Sequence, residues 1–210
     1  KVLLTPYLDG LADNAGLAAE LNPDILHIDL VRAPQSWEDV VKLLPKDTRL
    51  SLGVVDGRNI WKNDFEASLA IIEKVKKAIG QERVIVATSC SLLHSPIDLE
   101  NERNEKSLPA EVKRWLSFAR QKVAEVVTLA DLAGGNPSDS SKAALESNKA
   151  DMENRRTSAL TNNKAVRDRV AAVTPDFARR KSPFRIRIAA QHRELCLPLF
   201  PTTTIGSFPQ

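Results

Sequence analysis

Five side chains in this sequence could ligate a metal or serve a reaction as nucleophile or proton carrier: Cys90, Cys196, His27, His94 and His192. A zinc centre needs thiolate and imidazole ligands at spacings that let them converge. No pair here has a convincing one. Cys90 and His94 are four apart, but in a run that reads as a loop, where packing and loop hydrogen bonds are the ordinary use of both. A second stretch with chemical potential is Thr202-Thr-Thr-Ile-Gly-Ser207. Its β-branched residues favour extended backbone, and Gly206 and Ser207 permit a sharp turn that leaves backbone N–H groups free for a ligand. The same run is also what a buried strand and its turn look like. A third set follows the strand-like runs: Arg32, then Asp56, Arg58 and Asn59, then Ser89, Cys90, Ser91 and His94. In a barrel, strand-end loops of this kind converge on one face. Asp, Asn and Gly are equally the residues that build turns, and an Arg can simply clamp the loop carboxylates.

Four strand-like runs position these residues: Val2–Leu8, Ile25–Val31, Leu50–Val55 and Val84–Thr88. Each precedes a helical pattern, so the class is α/β with a βα repeat, and continuous apolar runs suit parallel strands in a barrel or a doubly wound sheet. His27 and Asp29 share one strand face and would point inward in a barrel. The helices are punctuated by their ends. Asp13–Leu21 stops at Asn22-Pro23, and Ser36 is placed to cap Trp37–Leu44. Asn63 and Glu66 resemble a capping box for Asp64–Ile79, which Gly80 ends. Pro109 opens a long helix to about Asp131, with Val112, Trp115, Leu116, Ala119, Val123 and Val126 on its buried side.

After Ala133-Gly-Gly-Asn-Pro137 the residues become small and polar, with no β run. Helices are expected over Ser138–Leu160 and Lys164–Val173, and Thr174-Pro175-Asp176 starts a third. Phe184-Arg-Ile-Arg-Ile188 alternates like a strand, but its flanks favour helix, and helix is the reading taken. This region is basic: residues 139–196 hold 13 Lys/Arg against 7 Asp/Glu, while residues 1–138 hold 17 against 20. Acids and Ala interrupt the basic run and its only aromatic residues, Phe177 and Phe184, are too sparse to interleave as stacking platforms, which argues for a solvated helical surface and against nucleic acid. With 42% hydrophobic and 27% charged residues the composition is that of an ordinary globular protein. No apolar run approaches the ~20 residues of a membrane span. Two cysteines are too few for a disulfide framework, so a reducing cytoplasm is the expected compartment.

The run Leu197-Pro-Leu-Phe-Pro-Thr-Thr-Thr-Ile-Gly-Ser-Phe-Pro-Gln210 resembles the first strand of the C-terminal barrel in the cobalamin-independent methionine synthase family. Leu50-Ser-Leu-Gly-Val-Val-Asp-Gly-Arg-Asn-Ile-Trp61 resembles a motif late in that family's N-terminal barrel. Leu26-His-Ile-Asp-Leu-Val-Arg-Ala-Pro34 and Ser89-Cys-Ser-Leu-Leu-His94 are similar too. The resemblance implies a central piece of a longer enzyme. Positions 1–135 would be the second half of an N-terminal (β/α)8 barrel, 136–196 a helical inter-domain linker, and 197–210 the first strand of a second, catalytic (β/α)8 barrel. It implies methyl transfer from 5-methyltetrahydropteroyl-triglutamate to L-homocysteine, using zinc and no cobalamin. Ile205, Gly206 and Ser207 would then contact homocysteine or methionine, while zinc ligands, catalytic residues and folate contacts would lie in the missing parts of the same enzyme. A non-catalytic scaffold or binding barrel, and another barrel methyltransferase, are the alternatives.

Overall fold

A computed structural model describes residues 1–104, 106–202, 204 and 206. The chain forms two compact units, residues 1–161 and 162–210.

The first unit is a parallel sheet with helices between its strands. β1 (Leu3–Leu4), β2 (Ile25–Asp29), β3 (Arg49–Val55) and β4 (Val84–Thr88) lie side by side in sequence order. α1 (Ala15–Glu20), α2 (Trp37–Leu43) and α3 (Phe65–Ile79) connect them. The pairing sets Leu26 beside Leu50, Ile28 beside Leu52 and Leu50 beside Val84. Because successive side chains point to opposite faces, Leu26, Ile28, Leu50, Leu52 and Val54 fall on one face. That face packs with Ile72 and Val75 of α3 and with Leu129 into the core. Leu50, Leu52, Ile72 and Val75 are each 0% exposed, and each such side chain contributes ~1.5–3 kcal/mol on burial. The opposite face carries His27 beside Ser51 and Asp29 beside Gly53.

Helix ends differ from expectation in instructive ways. The Ser36 side chain does not cap α2. Its hydroxyl donates to Ala33 C=O at 2.9 Å, which completes the turn before the helix instead. The cap of α3 is Asp64, one residue later than Asn63, and its carboxylate accepts from Ala67 N–H at 3.0 Å. The Asn63 amide is drawn away to Ser68 Oγ, and Glu66 faces Lys149 at 3.2 Å rather than closing a box. Gly80 ends α3 at φ +92°, where a side chain would strain the backbone.

The long helix expected from Pro109 is two, α4 (Ala110–Lys113) and α5 (Ala119–Ala133). Between them the backbone forms an antiparallel bridge with Trp61: Lys62 N–H donates to Trp115 C=O and Ser117 N–H to Ile60 C=O, both at 2.8 Å. α5 begins without a capping side chain because Ala119 and Arg120 donate to the carbonyls of Pro96 and Ile97. A helix end satisfied by distant backbone leaves no cap signal in sequence. The buried face of α5 is Lys122, Glu125, Leu129 and Ala133, and Val123, expected inside, is 54% exposed.

α6 (Asp139–Thr157) follows, capped by Ser138 through Ser141 N–H, and packs on α3 and α5 within the first unit. In the second unit, α7 (Lys164–Ala171) is capped by Asn163, a short 3-10 turn covers Pro175–Ala178, and α8 (Phe184–Leu195) takes the alternating run as helix. Among the described residues of 197–206 none is in a strand. A strand exists through its hydrogen-bonded neighbours, and the second unit offers none to this run among its described residues. Gly206 has φ +94° and open space where a Cβ would stand.

Candidate functional site

The C-terminal ends of β2, β3 and β4 carry most of the polar residues with chemical potential, and their geometry is closed upon itself. His27 is 5% exposed and hydrogen-bonded through both ring nitrogens. Nε2 donates to Ser89 C=O at 3.1 Å, and Nδ1, left as acceptor in that tautomer, pairs with the Ser51 hydroxyl at 3.0 Å. The imidazole needs Gly53 beneath it, since a Cβ there would stand 3.0 Å from His27 Cε1 and 2.7 Å from Ser89 Cα. The Ser89 hydroxyl in turn accepts from Gly57 N–H at 3.2 Å. Asp29 is 1% exposed and receives three backbone N–H groups, from Leu8, Val31 and Arg32, at 2.9–3.0 Å. Such a carboxylate holds two loops together, with both oxygens engaged by the protein's own backbone.

The loop after β3 is wound around its own polar residues. Asp56 accepts from Arg58 N–H and from the Asn59 amide, both at 2.7 Å, and Asn59 Oδ1 accepts from Trp61 N–H at 3.0 Å. The side chains of Arg32, Arg58 and His94 are exposed. Cys90 is buried with its thiol against Gly57, where a Cβ would lie 3.0 Å from the sulfur. Ser91 is spent on a turn, accepting from Leu93 N–H. Cys196 is exposed. Among the described residues no three His, Cys, Asp or Glu side chains converge as a metal site. With His27 and Cys90 both engaged, the residues present do not fit a zinc ion. Ile205 and Ser207 lie outside the described residues.

Sequence reasoning missed the most heavily charged buried group. Lys122 is 0% exposed, and its ammonium donates to Trp61 C=O at 3.0 Å and Asn59 Oδ1 at 3.2 Å. Burial lowers its pKa, opposed by the charges of Glu125 and Asp56. Burial likewise raises the pKa of Glu125, opposed by a hydrogen bond from Asn63 N–H and by Lys122. The available signal was the 122, 125, 129, 133 spacing, a helical stripe that ends in Leu129 and Ala133.

A polar seam on α6 was also missed. Asn148 receives Phe65 N–H at 3.0 Å and donates to Asn63 C=O at 2.8 Å. Asp151, its side chain 5% exposed, pairs with Lys62 at 2.7 Å and Arg114 at 2.8 Å. Asn154 accepts from the Trp115 indole at 2.8 Å, and the Arg155 guanidinium lies 4.0 Å from the Trp61 ring centre. The helix is thus fastened to the loop after β3 and to the turn between α4 and α5 by Asn148, Asp151 and Asn154, three apart and none of them apolar.

The sequence model described as the N-terminal domain of the cobalamin-independent synthase matches residues 1–80, from β1 through α3. A 5-methyltetrahydropteroyltriglutamate–homocysteine methyltransferase of Flavobacterium johnsoniae is 47% identical over all of this chain and 27% of its own length. Proteins of the same name from Cytophaga hutchinsonii and Saccharomyces cerevisiae are 46% and 44% identical with the same coverage. The chain belongs to the cobalamin-independent synthase family. It spans about a quarter of the length of the curated relatives it matches. Within this cobalamin-independent synthase segment, the matched positions 1–80 take in the His27, Asp29 and Asp56–Asn59 groups, and the relatives extend the match across α5, the α6 seam and the second unit. No helix among its described residues is long and apolar enough to cross a membrane.

Proposed function

We propose that the complete protein transfers the methyl group of 5-methyltetrahydropteroyl-triglutamate to the zinc-activated thiol of L-homocysteine, giving L-methionine without cobalamin. The observation that carries this is 44–47% identity, sustained over the whole chain, to relatives bearing that activity in their names. In this reading residues 1–135 are the second half of a (β/α)8 barrel, 136–196 the connection between two barrels, and 197–210 the opening strand of the catalytic one. Helices on one face of a parallel sheet, with polar side chains on the other, support a barrel over a doubly wound sheet, which would be covered on both faces. Gly206 lets a ligand approach the backbone closely, the Ser207 hydroxyl and amide donate to the carboxylate of the amino acid, and Ile205 gives apolar contact. Zinc would be held by residues outside this segment.

For residues 1–135 themselves a scaffold role is favoured by a specific observation: His27, Asp29 and Asp56 spend their polar atoms on the protein's own loops. The test is methionine formation by the full-length protein from the two substrates without cobalamin, and its loss on chelation. Failure of the zinc-loaded full-length protein to form methionine would overturn the proposal. Residues 1–210 alone are expected to show no turnover and no stoichiometric zinc by metal analysis.

A further inference from the structure

Against the closed polar groups of the strand-end loops, two guanidiniums stand open. Arg32 follows β2 and Arg58 follows β3, both are exposed, and neither side chain has a hydrogen bond or ion pair among the described residues. Their backbones are fixed by the same device. Asp29, at the end of β2, accepts from Arg32 N–H at 2.9 Å, and Asp56, directly after β3, accepts from Arg58 N–H at 2.7 Å. The loop that carries Arg58 is held further. Gly57 N–H donates to Ser89 Oγ at 3.2 Å, and the buried ammonium of Lys122 donates to Asn59 Oδ1 and Trp61 C=O. The residues on either side of Arg58 are anchored while its own side chain is left free. Burying an ammonium is costly unless its donors are satisfied, and here it fixes a loop whose open functional group is Arg58.

β2 and β3 are neighbours in a parallel sheet, with Asp29 beside Gly53, so both loops leave on the same side. Neighbouring strands lie ~4.8 Å apart. A guanidinium is a fork for carboxylate or phosphate oxygens, and two of them rooted on adjacent strand ends suit a ligand with anionic groups in series. The local acids are committed elsewhere: Asp29 is turned to three backbone N–H groups, and Asp56 has the Asn59 amide and the nearby charge of Lys122. We propose that Arg32 and Arg58 hold successive carboxylates of the folate's triglutamate tail, and so set a preference for the polyglutamated methyl donor. This rests on the methyl-transfer reading, in which the folate carries that tail, and it adds a contact within a segment to which the family resemblance assigns none. Rigid loops spare the ordering of backbone on binding. The two arginines grip the tail and take no part in the methyl transfer itself.

The test is calorimetry on the full-length protein with 5-methyltetrahydrofolate bearing one or three glutamates. The triglutamate form is expected to bind more tightly, by a margin that shrinks as salt is raised. Arg32→Gln and Arg58→Gln should each raise the triglutamate Kd about 3- to 10-fold, and the monoglutamate Kd by less than about twofold. Arg58→Lys, which keeps the charge, should lose less, and the circular dichroism of all three should match the parent. Arg49→Gln, an exposed arginine at the opposite end of β3, should leave both constants unchanged. A triglutamate margin untouched in the Arg32→Gln, Arg58→Gln double variant, or one reduced equally by Arg49→Gln, would overturn the inference while continued methionine formation left the methyl-transfer reading standing. Binding of neither folate would overturn that reading and this inference with it.

Discussion

At the scale of single residues, three side chains give separable expectations. Ser207→Ala in the full-length protein should weaken homocysteine binding about 10- to 100-fold, because a hydrogen bond to a charged carboxylate is worth roughly 1.5–3 kcal/mol. Calorimetry showing unchanged affinity in a folded variant would return that residue to a purely structural role. Asp98 ties the loop before α4 to α5. Its carboxylate accepts from the Gln121 amide and the Arg120 guanidinium, both at 2.7 Å, and these bonds hold its pKa down to about 2. A depressed carboxylate contributes stability above the ordinary carboxylate range, and that contribution fades as pH falls toward 2. Asp98→Asn should therefore lower the urea midpoint at pH 7, and the gap to the parent protein should close near pH 2. Lys122→Met leaves Glu125 buried without its counter-charge and frees two carbonyl oxygens of the loop after β3. A loss of about 3–5 kcal/mol is expected from urea unfolding, and Lys122→Gln, which keeps a donor, should lose less.

At the scale of elements, α6 shows how a helix with little apolar surface can still dock. Ala144 and Leu145 touch the core, but Asn148, Asp151 and Asn154 make the specific contacts. Asn148→Ala would orphan the buried N–H of Phe65 and the carbonyl of Asn63, at a cost of about 2–3 kcal/mol. Hydrogen exchange should then quicken along α6 while the amides of β2 and β3 keep their protection. Equal quickening in the strands would mean that α6 and the sheet open as one unit. The break between α4 and α5 belongs to the same scale. Trp115 and Ser117 give their backbone groups to Ile60 and Lys62, so a continuous helix would forfeit that bridge and the burial of Trp115, Leu116 and Phe118.

At the scale of the whole molecule, the sheet of the first unit ends at β1 on one side and β4 on the other, and among the described residues each has a neighbour on one side only. Unpaired strand edges invite further strands. If residues 1–135 complete a barrel in the full-length protein, the amides of Val84–Thr88 that point away from β3 should be protected there and exchange quickly in a protein cut to residues 1–161. Fast exchange of that strand in the full-length protein would leave the sheet open and remove the barrel. The basic balance of residues 139–196 resolves into local pairs on helices, such as Lys142 with Asp139, Arg156 with Glu153 and Lys164 with Asp168. Exposed pairs of this kind add little stability and serve mainly to keep the surface hydrated.

Apolar spacing and turn residues, which act over a few neighbours, determined the βα order, β2 to β4, the span of α3 with its stop at Gly80, and the helices α6 and α7. β1 is shorter than the expected Val2–Leu8, α8 is read from its flanks against a strand-like alternation, and the helix expected from Thr174 is only the 3-10 turn Pro175–Ala178. The motif Leu50–Trp61 and the run ending at Gln210 were enough to indicate the family. Three matters waited for the tertiary structure. Asp64 rather than Asn63 caps α3 because Asn63 is recruited by Ser68 and Asn148. The face of α5 turned by one position, placing Lys122 and Glu125 inside, because the loop after β3 offers carbonyl and amide oxygens that an ammonium can satisfy and a valine cannot. The break between α4 and α5 has no local signal, since distant carbonyls cap α5. Local spacing fixes which residues share a face; only packing decides which face turns inward, and what a buried polar group finds there.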